Sequence, residues 1–250
     1  MVAGGKNKRG NIEKEDAASP TTAPESVLLT STIDAAEERD VAVINIPNAF
    51  IQTRIKNYED RFVLRPRGKL ADLLIKTAPE IYRKQITINI KGETVLYMRA
   101  LNVIYGIIKA VLLFYQKFVG DLMTIGFELN PYDPCVTNKT INGKQLALVW
   151  HVDDIKASHV EAEVVTRMAK WMRKTYKHIF KDGSGKMKLC RGKFHDYLGM
   201  NLDYTIKGEV KIAMIPYIKD MIKDFREYYP GPYKKENTPA AEVLFKVDDE

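Results

Sequence analysis

From Asp40 to Ile46 the chain reads Asp-Val-Ala-Val-Ile-Asn-Ile, a short β-branched run with charges before it and Pro47 after it. That pattern predicts a strand ending in a turn. Between Leu101 and Ile125 apolar residues recur at 101, 104, 108, 111, 112, 115, 119, 122 and 125, and Gly126 follows. The spacing is helical and predicts one long helix over 101–125. Two apolar runs, Gln145–Val152 and Ile155–Val160, flank Asp153-Asp154 and predict a hairpin with an acidic two-residue connection. Over Glu161–Lys181 the apolar positions again fall on one side of a helix, opposite Arg167, Lys170, Lys174, Lys177 and Lys181. Strand-like pieces follow at 194–206 and 209–215, with Lys207-Gly208 as the turn, and then a helix around Tyr217–Phe225.

The order from residue 40 to 206 is strand, helix, strand hairpin, helix, strand. It predicts an α+β fold of βαββαβ type, an antiparallel sheet with helices on one face. Residues 57–95 are broken by Pro66, Gly68, Pro79 and Gly92 and give no firm elements. Residues 1–26 mix Gly, Pro, Ser, Thr and both charges without period, and read as a flexible polar leader.

Composition narrows the class. The chain has 250 residues, 45% apolar and 28% charged, enough for one large or two small domains with a sizeable core. No apolar run approaches the ~18 residues of a membrane span, and the first residues lack a secretory h-region. Two cysteines, Cys135 and Cys190, read as reduced thiols, which with the missing signal suggests an intracellular protein, not a secreted or membrane one. Net charge is +7. Residues 165–193 hold ten Lys and Arg against Asp182 alone, so this segment is +9 and the remainder −2. Such a stripe suits phosphate binding, and equally a solvated helix face.

The sharpest chemical feature is Trp150-His151-Val152-Asp153-Asp154. Adjacent carboxylates repel, and either solvent or a divalent cation relieves them. Val247-Asp248-Asp249 repeats the tripeptide in the polar tail, so the tripeptide alone says little. An acidic surface hairpin and a metal site both remain open on this feature.

A set of ordered blocks extends it. Asn45-Ile46-Pro47-Asn48-Ala49-Phe50-Ile51, Ile104-Tyr105-Gly106-Ile107-Ile108-Lys109 with Phe114-Tyr115, His151-Val152-Asp153-Asp154, and Tyr197-Leu198-Gly199-Met200 resemble successive blocks of the reverse transcriptases of copia-class (Ty1/copia-type) retrotransposons. Asp133-Pro134-Cys135-Val136 and Tyr217-Ile218-Lys219-Asp220 fit the same spacing, so that the resemblance covers about residues 26–245.

The resemblance implies a polymerase palm with partial fingers over 27–215, and the start of a thumb and a polar tail over 216–250. It implies RNA-directed DNA polymerase activity on an RNA or DNA primer-template with deoxynucleotides, supported by two Mg²⁺ ions. Asp153 and the residue at 45 would hold the ions, with Asp154 assisting. Ile46, Phe50 and Lys109 would line the nucleotide, and Leu198-Gly199 would brace the primer end. The residues alone also allow Phe50 to be read as a core aromatic after a strand, and Leu198-Gly199 as a strand with a glycine bend.

Where the family carries its first Asp, this chain has Asn45; Lys109 replaces a Gln, Val111 a Pro and His151 a Tyr. An amide lacks the charge that holds two ions together. A loss of about 3–5 kcal/mol of transition-state stabilisation would slow turnover roughly 10²- to 10⁴-fold. The expectation is therefore a truncated copy with impaired catalysis, or a non-catalytic nucleic-acid-binding relic of the same fold.

Overall fold

A computed structural model describes residues 18–56, 62–177 and 185–232. In chain order the elements are α1 (Pro24–Ala36), β1 (Asp40–Asn45), β2 (Val63–Leu64), α2 (Lys69–Thr77), α3 (Pro79–Tyr82), β3 (Ile86–Ile88), β4 (Thr94–Leu96), β5 (Met98–Arg99), α4 (Ala110–Thr124), β6 (Glu128–Leu129), β7 (Val136–Ile141), β8 (Lys144–His151), β9 (Asp154–His159), α5 (Ala162–Thr175), β10 (Lys188–Arg191), β11 (Phe194–Tyr197), β12 (Met200–Asp203), β13 (Lys211–Ala213) and α6 (Ile215–Tyr228). They fall into two compact units, 1–212 and 213–250.

The first unit is built on a six-stranded sheet of order β10-β1-β9-β8-β7-β6, antiparallel at every pairing. Taking β1, β8, β9 and β10 as the four strands of a βαββαβ unit with α4 and α5 as its helices, the order is 4-1-3-2. The α+β class and the βαββαβ order are those expected from the sequence, but the fourth strand is β10, whereas the run 194–206 expected there lies in the separate β11-β12-β13 sheet.

Alternation along the strands sorts the core into two clusters. Ala42, Ile44, Leu146, Leu148, Trp150, Ile155 and Ala157 meet Phe114, Phe118 and Leu122 of α4 and Val165, Met168 and Met172 of α5. The opposite parity (Val41, Val136 and Val149) meets Val27 and Ala35 of α1 and Tyr197, Leu202 and Tyr204 of the β11-β12-β13 sheet. Both faces are covered, whereas the sequence reading put helices on one. The run Val-Ala-Val-Ile in β1 is apolar at every position, as a strand buried on both sides must be.

α1 begins at Pro24, inside the stretch read as a flexible leader; residues 1–17 of that stretch lie outside the described residues. Two polar anchors hold α1 down. Asp133 accepts from the Ala23 amide (3.0 Å) and the Thr22 hydroxyl (3.2 Å). Asp34 forms an ion pair with Lys156 of β9, both side chains almost wholly buried.

The helix expected over 101–125 begins only at Ala110. Residues 101–103 are extended instead, because they pair with 53–55: Ile55 N donates to Leu101 O and Val103 N to Thr53 O, both at 2.9 Å. Gly106, at φ +89°, then turns the chain, a conformation that glycine adopts at little cost. The run 194–206 is likewise divided, into the hairpin β11–β12. The helix expected over 161–181 is α5, which ends at Thr175; Lys181 lies outside the described residues.

In the second unit the described element is α6. Ile215, Ile218, Met221, Ile222 and Phe225 recur at helical spacing, and every residue of the helix is exposed.

Candidate functional site

β8 and β9 close on the pair His151↔Asp154, so the connecting residues are Val152-Asp153. The acidic connection expected from the sequence is displaced by one residue, and Asp154 is the first residue of β9. Val152 sits at φ +56°, in the left-handed region. A β-branched side chain there carries strain of about 1–3 kcal/mol, so the turn is held by its surroundings. Ile46 supplies one such constraint, donating its amide to the Asp153 carbonyl (2.9 Å) and fastening the end of β1 to the turn.

β1 lies beside β9 in a register that sets Asn45 opposite Asp154. Asn45 Nδ2 donates to Asp154 Oδ1 at 2.7 Å. The opposite amide orientation would set oxygen against oxygen, so the chemistry of the pair fixes which way the amide points. On the other side of Asn45, in register across β10, stands Lys188. Asp40, the other acidic residue of β1, lies at the far end of the strand opposite His159 and is paired with Arg191.

Burial, followed by the neighbouring Asp154 charge, raises the Asp153 carboxyl above the usual carboxylate range, against its own backbone amide and His151. The Tyr105 phenol is raised as well, by burial and then by the Asp153 charge. Tyr105 covers Phe50, with ring centroids 4.7 Å apart, and Phe50 stands edge-on to Phe114. Phe50 and Ile46 are thus both core residues, 9% and 0% exposed. Lys109 is the residue before α4 and its carbonyl accepts from Leu113 N (2.9 Å).

Leu198 and Gly199 form the two-residue turn of β11–β12, at φ +52° and +77°. Two positive values match the twist of a tight hairpin, which explains a glycine here. The adjacent Tyr197 hydroxyl donates to Val149 O (2.9 Å), tying this turn to the β8–β9 hairpin. A groove of about 490 Å³ lies along Val43, Asn45, Asp154, Lys188, Leu189, Cys190 and Asp196.

The structure therefore brings Asn45, Asp153 and Asp154 together, although 108 residues separate Asn45 from Asp153 in the sequence. It places Ile46 and Phe50 beneath them in the core. Tyr105, Lys188 and Asp196 are neighbours not expected at this site from the sequence; Tyr105 stands within one of the matching blocks and Lys188 within the basic segment 165–193, whereas Asp196 carries no local signal.

The donor set does not fit a two-ion metal centre. The Asn45 amide directs its N–H at a carboxylate oxygen that an ion would need, and the basic residue Lys188 lines the same groove opposite Asn45. Among the described residues no group of three or more His, Cys, Asp or Glu side chains is arranged to hold a metal ion.

The basic charge is also less confined than the +9 segment suggested. The stretch between β1 and α4, residues 54–109, carries twelve Lys and Arg against five Asp and Glu. Within 165–193, Arg167, Lys170, Arg173, Lys174 and Lys177 are exposed on α5 or just past its end. Arg191 is instead bonded to Thr166 and Asp40.

No family model matches the sequence, and no characterised protein matches it by sequence. Among solved structures it is similar to apo telomerase from Candida tropicalis, at 11% identity and a TM-score of 0.41, over 82% of this chain and 38% of that one. The same enzyme in complex with a TWJ fragment of telomeric RNA gives 11% identity and a TM-score of 0.43, over 82% and 35%. Telomerase from Candida albicans, in complex with a TWJ fragment of telomeric RNA, gives 11% and 0.40, over 89% and 41%. The chain spans about two fifths of the length of these proteins, and likeness at this level does not define a family. No described helix is long and apolar enough to cross a membrane.

Proposed function

We propose that this chain is the palm-bearing part of a reverse-transcriptase-type polymerase of the copia retrotransposon class, in a form whose catalytic apex has lost an acidic ligand. The observation that carries this reading is the register Asn45↔Asp154 beside the Asp153 turn. Two sequence blocks chosen for their resemblance, far apart in the chain, converge on adjacent strands of a βαββαβ sheet.

Nucleotidyl transfer asks for a primer hydroxyl to be deprotonated and for charge to be stabilised on the attacked phosphate. In the family that task belongs to two Mg²⁺ ions on three carboxylates. Here Asp153 and Asp154 are the groups that would approach a cation, and Asn45 supplies neutral hydrogen bonding where charge is needed. Primer-template and deoxynucleotides are the proposed partners, with template contacts by the basic stretch 54–109.

A second reading is a non-catalytic nucleic-acid-binding relic, and the Asn45–Asp154 hydrogen bond favours it. A satisfied polar pair has no need of a cation to relieve it. Extension of a primed RNA template with Mg²⁺ separates the two. Extension restored by Asn45→Asp supports polymerase descent, and salt-sensitive binding without extension in either form supports the relic.

A further inference from the structure

α5 buries one face completely: Val164, Val165, Met168, Ala169 and Met172 lie in the core beneath the sheet. Its other face carries Arg167, Lys170, Arg173 and Lys174, with Lys177 just beyond the helix end, and all five are exposed. At about 100° per residue they occupy an arc of roughly 120°. None of them takes part in an ion pair among the described residues. Arg173 and Lys174 lie in the last turn, where the helix dipole favours cations, but Arg167 and Lys170 stand too far from that end to be explained so.

We propose that this outward face of α5 is a nucleic-acid surface, separate from the Asn45–Asp154 groove, that holds the phosphate backbone of a duplex by charge alone. The groove residues Asn45 and Asp154 share the face of the sheet turned away from α5, so one duplex segment lying in the groove does not reach this stripe. From Arg167 to Lys174 the helix rises about 10 Å. That length faces about three phosphates of one duplex strand, at roughly 3.4 Å each. Four cations on it, followed by Lys177, match that charge density.

The chemistry of the face selects its partner. The exposed residues of this face include no aromatic ring for stacking unpaired bases: Tyr176 is buried, and the half-buried Trp171 packs edge-on against it. The apolar face of α5 is also committed to the core, so the helix has nothing to insert into a lipid surface. Glu163 in the first turn shares the arc; from Arg167 onward what remains is a line of cations, suited to a regular line of phosphates and indifferent to sequence.

The test is fluorescence-anisotropy titration of the full chain with a labelled duplex across a range of salt. Arg167→Glu/Lys170→Glu/Lys174→Glu is compared with the neutral Arg167→Gln/Lys170→Gln/Lys174→Gln and with Lys219→Glu/Lys223→Glu on α6; circular dichroism confirms that each is folded. The expected result is a log K against log salt slope of about −3 or steeper for the natural chain, flattened by about 2–3 in both α5 variants. Their affinity at low salt falls at least 10-fold, while the α6 variant changes by less than 3-fold. Equal losses in the α5 and α6 variants, or no loss in the α5 variants, would overturn the proposal. So would competition by poly-glutamate or anionic vesicles equal to that of unlabelled duplex. Extension is not read, so the outcome is independent of the polymerase reading.

Discussion

Asn45 and Asp154 face one another across β1 and β9, and the amide of the first donates to the carboxylate of the second at 2.7 Å. On the polymerase reading proposed above, this bond occupies the place where two negative charges would hold a cation between them. It makes the apex self-sufficient.

Asn45→Asp therefore sets like charges directly opposite on adjacent strands, with Asp153 next to them. Such a pair is destabilising by about 1 kcal/mol, which in a chain of this size lowers Tm by roughly 2–4 °C. Millimolar Mg²⁺ is expected to restore the variant and to leave the natural chain unchanged. Thermal unfolding of both, with and without the ion, reads the difference.

The raised Asp153 carboxyl has a signed consequence for pH. Its folded value lies above the unfolded value of 3.8, so the folded state holds its proton more tightly. The group favours folding least above its folded value, where it is ionised in both states, and the penalty fades as pH falls through the folded value toward 3.8. Asp153→Asn is expected to be more stable than the natural chain at pH 7. The advantage shrinks on acidification and is gone below about pH 3.8. Urea unfolding at a series of pH values gives the two curves.

Asp34 and Lys156 test what holds α1 against the sheet. Both side chains are buried, and burial lowers the Lys156 ammonium while Asp34 acts to raise it. Removing one partner leaves the other charge without its counterion, and Asp34→Ala is expected to destabilise by about 3–5 kcal/mol. Asp34→Leu/Lys156→Met, which removes both charges and keeps volume, should recover most of that loss. Urea midpoints of the three proteins decide it.

Elements governed by local pattern were legible in the sequence. The β-branched run at 40–46 became β1, and the two apolar runs around Asp153-Asp154 became β8 and β9. Their order gave the βαββαβ plan. What escaped depends on contacts distant in sequence. Residues 101–109 carry a helical apolar period, yet 101–103 pair with 53–55 and Gly106 breaks the turn. Helix α1 starts from Ala23 without a side-chain cap and buries Ser31 and Asp34, so neither a cap nor an apolar stripe announced it.

The candidate site divides the same way. The acidic dipeptide was visible because its flanks alternate with its turn. Its displacement by one residue was not, because Val152 accepts a left-handed conformation that residue preference argues against. Asn45 was picked out by its block, but its bond to Asp154 and the nearness of Lys188 are matters of strand register. Tyr105 over Phe50 is a tertiary contact of the irregular segment before α4, with no period of its own.

On the proposed polymerase reading, Asn45 deprives the apex of the charge that would hold its metal ions. The most direct test is extension of a primed RNA template with Mg²⁺ and deoxynucleotides by the natural chain and by Asn45→Asp at equal concentration. The variant is expected to extend the primer roughly 10²- to 10⁴-fold faster. Equal extension by the two proteins would contradict it.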